Sequence, residues 1–168
     1  MTVISDLTPD EQRLLLSALE AAAIVVSAAS PGRKEETVSE GFAVAEFILQ
    51  GRKEYVANPL VSSTIRALQE RVDRGEPFPD YVELASRPGA RDEAEGILRA
   101  VTALLDARAE PDEAIGFKEW LVRIAVVAAR AGKEHQGFLG RGGELISAEE
   151  QEAVRSVASI LGVPAPID

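Results

Sequence analysis

The chain has 168 residues, 46% apolar and 27% charged, which suits one globular domain with a real core and is too apolar for disorder. It contains no cysteine, so disulfides, thiolate zinc sites, iron–sulfur clusters and cysteine nucleophiles are excluded together. A net charge of −10 repels phosphate backbones and anionic membranes, which are bound through clustered basic residues, and nucleic acid is not the expected partner.

In chain order, Asp6, Asp10 and Glu11 stand where a signal peptide would carry a basic start, and the expected location is cytoplasmic. Thr8-Pro9-Asp10-Glu11 is a capping box with proline at the first helical position. The helix it opens carries Leu15, Leu19, Ala22, Val26 and Ala29 on one stripe and stops at Ser30-Pro31-Gly32. Its apolar run over 14–29 is shorter than the roughly 20 residues of a bilayer span and contains Glu20. A buried helix without membrane insertion is expected. Thr37-Val38-Ser39-Glu40 reads as a second capping box, opening a helix to about Gln50 with Val38, Phe42, Ala45 and Leu49 on one stripe and Gly51 as its stop. Asn58-Pro59 starts a third segment through Leu60, Thr64, Leu68 and Val72, stopped by Gly75. On it, Arg66, Arg71 and Arg74 interleave with Glu70, Asp73 and Glu76, the pattern of a solvated face.

The stretch 77–88 holds one short helix between prolines, and a long helix over 90–109 follows, marked by Ala94, Ile97, Val101 and Leu104. Asp112 is the expected cap of the next helix. There Trp120, Ile124, Val127 and Ala131 form one apolar row, and Phe117, Leu121, Ala125 and Ala128 a neighbouring row. Two adjacent rows make a wide face, so this helix is expected at the centre of the core. Ser147-Ala148-Glu149-Glu150 is a third capping box, opening a last helix through Val154, Val157, Ala158 and Leu161. No segment alternates with period two between turn signals. The expected fold is all-α, a compact single-domain bundle of about six to seven helices over residues 1–168, with mostly short turns. A similar plan occurs twice, as an alanine-rich helix, a glycine-containing turn and a capped helix, which suggests an internal pseudo-repeat.

The glycine-rich loop in KEHQGFLGRGGELISAEE, residues 133–150, is where local chemistry would be sought. A calcium loop ending at Glu150 would place Leu139, Arg141 and Gly143 at the first ligand positions, and none offers a side-chain carboxylate or hydroxyl. A phosphate loop fails because Gly143 and Glu144 replace its lysine and hydroxyl residue. His135, the sole histidine, suits a solvated or loop-bracing role, and a metal site would need acidic partners. The candidate metal ligands are Glu35, Glu36, Glu40, His135, Glu144 and Glu150, should the two helix-opening turns meet. Acidic first turns also favour the helix dipole without any metal. One histidine cannot supply a di-iron bundle, no serine sits in a glycine-flanked elbow, and no catalytic set emerges. Trp120 and the two tyrosines read as core or interface residues. His135, Phe138 and Leu139 are the candidate partner contacts.

The segment GFKEWLVRIAVVAARAGKEHQGFLGRGGELISAEEQEAVRSVASILG resembles the TerB-like proteins associated with tellurite resistance, in its alanine-rich helix, glycine-containing turn and S-x-E-E helix start. The plan after Ala29 is similar to the family's other half. The resemblance implies an acidic, cytoplasmic, all-helical domain with no established reaction, and acidic residues at the helix-opening turns that engage a metal ion or a partner. Arg141-Gly142-Gly143 and Pro31-Gly32-Arg33 stand where the family tends to place aspartate beside glycine, which weakens a metal role for Glu144, Glu149 and Glu150. The expected function is that of a non-enzymatic module that binds another protein in a stress-response context, without a cofactor. The alternatives are a metal-binding protein or metal-dependent enzyme using the acidic residues of the two turns, and a structural oligomerising bundle.

Overall fold

Seven α-helices and no strand make up the described residues, 1–30, 34–77, 79–131 and 146–166, of the computed structural model. After a short 3₁₀ turn at Ile4–Asp6, α1 spans Pro9–Ala29. Its capping box is formed as expected: Glu11 N donates to Thr8 Oγ1 at 3.3 Å, and Thr8 N donates to Glu11 Oε2 at 2.8 Å. By length and composition α1 is long and apolar enough to cross a membrane, a longer helix than its apolar run suggested. In the bundle, however, Leu15, Ala18, Leu19, Ala22 and Val25 are buried. The small ones among them, Ala18 and Ala22, let α5 (Ala90–Arg108) and α6 (Pro111–Ala131) lie close against it.

Both apolar rows of α6 reach the core, with Phe117, Trp120, Leu121 and Ile124 fully inaccessible. The Phe117 and Trp120 rings meet edge to face at 5.3 Å between centroids, a favourable quadrupole geometry. Each such side chain stabilises the fold by about 1.5–3 kcal/mol through burial alone. Helix α6 is helical from Pro111, so Asp112 lies within the first turn and is not the cap. There its charge still suits the positive helix end. Helix α7 (Ala148–Leu161) closes the bundle against α1, α5 and α6, capped by Ser147 and Glu150 and ended by Gly162 at φ 71°. The two similar halves of the sequence correspond to α1 with α2 and α6 with α7, and their two alanine-rich members, α1 and α6, pack on each other.

Helix α2 spans Lys34–Glu54 and corrects the sequence reading at both ends. It is already helical at Lys34, so Thr37 does not cap it, and Glu40 lies in its interior and is buried. Lys34, Glu35 and Glu36 are good helix formers, and two of them place acidic charge in the first turn. Gly51 does not stop the helix either. It is buried within it, and its bare Cα leaves room for the Tyr55 ring and the Ile65 side chain, which a Cβ would meet at 3.2 and 3.4 Å. The buried face of α2 consists of Glu40, Val44, Ile48 and Gly51 and lies mainly on α6. The expected stripe of Val38, Phe42 and Leu49 is exposed instead.

Helix α3 (Pro59–Asp73) begins at Asn58, whose Oδ1 accepts from Leu60 N and Val61 N, each at 3.1 Å. Asn58 Nδ2 donates to the Glu113 carbonyl at 3.0 Å, tying the start of α3 to α6. Helix α4 (Tyr81–Ser86) is capped by Asp80. Two helical glycines test this arrangement. A Cβ at Gly96 meets nothing within 4 Å, whereas one at Gly116 would lie 2.5 Å from Asn58 Nδ2. Gly96→Ala is expected to stabilise by about 0.5–1 kcal/mol through helix propensity. Gly116→Ala is expected to destabilise by about 1 kcal/mol despite the same propensity gain, because it displaces a cap. Urea denaturation of the two variants checks the opposite signs.

Candidate functional site

Ser27 is the one hydroxyl in the apolar run AAAIVVSAA at the end of α1, and it is buried. A buried hydroxyl needs partners, and Ser27 has two. Its Oγ donates to Glu40 Oε2 in a short hydrogen bond, and lies 2.7 Å from the Tyr81 hydroxyl. Serine has a single proton to give, so with Glu40 ionised the chain must run from Tyr81 to Ser27 to Glu40. Gly41 permits this placement of Tyr81, since a Cβ there would approach the ring at 3.0 Å. One hydroxyl therefore joins α1, α2 and α4.

Glu40 is 6% exposed. Burial, partly offset by the Ser27 hydrogen bond and reinforced by the negative charges of Glu150 and Glu36, pushes its carboxyl up to about 7. The same burial raises the Tyr81 phenol, again against the Ser27 hydrogen bond and with the charges of Glu40 and Glu20 acting in the same direction as burial. Glu150 comes from the capping box of α7, where its Oε2 accepts from Ser147 N at 2.8 Å. The interior of α2 and the start of α7, distant in sequence, thus bring two buried glutamates within electrostatic reach. Of the other sequence candidates, Glu35 is exposed and Glu36 is half-buried. His135, Phe138, Leu139 and Glu144 lie outside the described residues. Among the described residues no group of three or more His, Asp or Glu side chains is arranged to hold a metal ion, so Glu36, Glu40 and Glu150 by themselves do not fit a metal centre.

On the other side of Tyr81 a groove of about 470 Å³ opens between α2 and the α1, α3 and α4 surfaces. Its walls are Leu16 and Leu19 of α1, Val38, Phe42 and Leu49 of α2, and Leu68 and Val72 of α3, with Glu20 and Asp80 as its carboxylates. Phe42 is 74% exposed, and Val38, Leu49 and Val72 are also exposed. The volume falls within the roughly 300–1,000 Å³ typical of binding clefts. Burial raises the pKa of Glu20, with Arg71 opposing. Sequence reasoning missed Ser27, Tyr81 and this groove. A lone serine inside an apolar run was the available signal for the first.

No protein-family model, no curated protein and no solved structure matches this chain. Function therefore has to be argued from the site.

The raised Glu40 carboxyl has a consequence for stability. Its native value lies above the unfolded value, so the native state holds more protons between about pH 4.5 and 7. Stability contributed by this group is highest below pH 4.5, falls as pH rises through that window and levels off above it. Glu40→Gln retains an acceptor for Ser27 without the charge. Relative to the parent it is expected to gain roughly 2 kcal/mol between pH 5 and pH 8. Denaturation across that range measures the difference, and a pH-independent offset would show that Glu40 titrates normally.

Proposed function

We propose that the chain is a non-enzymatic helical module that acts by binding another protein, and that the α2 groove is its docking face. The observation that supports this reading is Phe42, 74% exposed in the middle of an apolar row with Val38, Leu49 and Val72. Single exposed apolar residues are ordinary, whereas a contiguous patch over a groove marks interaction surfaces. The Ser27–Glu40–Tyr81 chain fits a structural role, because Ser27 Oγ, Glu40 Oε2 and the Tyr81 hydroxyl satisfy one another and Ser27 and Glu40 are buried. The TerB-like resemblance supplies the stress-response setting of this proposal and its non-catalytic character.

Replacing Phe42 with the photocrosslinking residue p-benzoylphenylalanine in the native cell tests the reading. Ile115, 49% exposed on α6, is the control. Irradiation is expected to give a discrete protein adduct from position 42 and none of the same mass from 115. Equal adducts from both positions, or none from 42, would remove the docking face.

A further inference from the structure

We infer that the groove receives a positively charged amphipathic helix of about three turns, an assignment that rests on the docking reading above. Length is the first argument. Helix α2 lines the groove from Thr37 to Leu49, a run of roughly 20 Å at 1.5 Å per residue, which matches three to four turns of a partner helix laid along it. Relief is the second. Ala45 is exposed between the larger Phe42 and Leu49, so the surface offers a hole beside ridges, the profile into which a helix sets an anchor side chain.

Charge selects the occupant. Among the described residues the groove lining includes Glu20 and Asp80 and no lysine or arginine. Arg71 acts on Glu20 from α3, but it also pairs with Glu76 at 3.1 Å. Outside the lining, Glu46 on α2 and Asp73 on α3 are exposed next in sequence to Ala45 and Val72, and the basic Arg52 and Lys53 stand one turn beyond Leu49, so the negative end of the groove is the one at Glu20 and Asp80. A Lys or Arg flanking the apolar anchors of a docked helix would meet these carboxylates where water is being displaced, and there an ion pair gains strength. A second copy fits poorly, because groove on groove would oppose Glu20 and Asp80 to themselves across two chains of net charge −10 each. An anionic membrane is repelled by the same charge.

The test uses three dye-labelled 14-residue peptides with leucines at i, i+3, i+4 and i+7 spacing and the remaining positions all Lys, all Gln or all Glu. Binding to the full chain is followed by fluorescence anisotropy at physiological salt. The Lys peptide is expected to bind with one-to-one stoichiometry and about tenfold more tightly than the Gln peptide, with the Glu peptide weakest. Phe42→Ala, at an exposed site, is expected to weaken it about tenfold or more. Glu20→Gln is expected to weaken it about fivefold, while Glu93→Gln, which removes the same charge from the exposed face of α5, leaves it within about twofold. Equal losses from Glu20→Gln and Glu93→Gln would mean diffuse attraction and would overturn the assignment, as would insensitivity to Phe42→Ala. A Gln peptide that binds as tightly as the Lys peptide and depends on Phe42 would reject the cationic partner while leaving the docking face intact. A dimer by light scattering that Phe42→Ala dissociates would replace the foreign helix with a second copy.

Discussion

The Ser27 hydroxyl, shared between the Glu40 carboxyl and the Tyr81 phenol, fixes how α2 is rotated about its own axis, and the groove depends on that rotation. Successive residues of a helix are turned by about 100°, so Glu40 and Phe42 face nearly opposite ways. With Glu40 held inward, Val44, Ile48 and Gly51 follow it into the core and Val38, Phe42 and Leu49 face out. Hydrophobic burial alone would favour the other rotation, since the outward stripe is the more apolar. Close packing of Gly51 against Tyr55 and Ile65 of α3, the contact of α2 with α6 and the three-helix hydrogen-bond chain oppose it. The exposed stripe is therefore a cost that the fold sustains, and a bound helix would relieve it by covering that surface.

The same chain places a carboxyl that titrates near neutral pH between a buried serine and the charge of Glu150. When ionised, Glu40 accepts from Ser27; when protonated, it can also donate. Either way the hydroxyl chain stays satisfied, which helps an acid to occupy the interior of this bundle. Tyr81 gives this interior chain a wall in common with the groove, because its ring lies against Gly41 on α2 while its hydroxyl reaches Ser27 on α1. The groove and the buried polar chain are two faces of one junction among α1, α2 and α4.

Helices whose limits are set by local chemistry were legible in the sequence. Thr8 with Glu11, Asn58 before Pro59, and Ser147 with Glu150 cap as their residue types require. The wide apolar face of α6 was legible for the same reason, as periodicity reports burial directly. Helix α2 was misread because Thr37 and Glu40 have capping-box spacing, yet the helix is already running at Lys34; a spacing signature cannot reveal residues upstream that continue the helix. Gly51 was misread because its role is to admit Tyr55 and Ile65, a tertiary contact. Glu40 and Glu150 were singled out from sequence as possible ligands, and they do approach one another. Their partners could not be named, since Ser27 lies 13 residues from Glu40 and 54 from Tyr81, and nothing local encodes such pairings.

The rotation of α2 is the central claim, and the absence of native cysteine makes it directly measurable by thiol reactivity. Phe42→Cys and Val44→Cys are each introduced singly and treated with a chromogenic disulfide reagent under native conditions, with rates referred to the same variants in denaturant. The account predicts that the thiol at position 42 reacts within about tenfold of its unfolded rate, and that the thiol at 44 is slowed by about a hundredfold or more. A protected thiol at 42 with a reactive one at 44 would mean that α2 is rotated the other way, and the open groove would not exist.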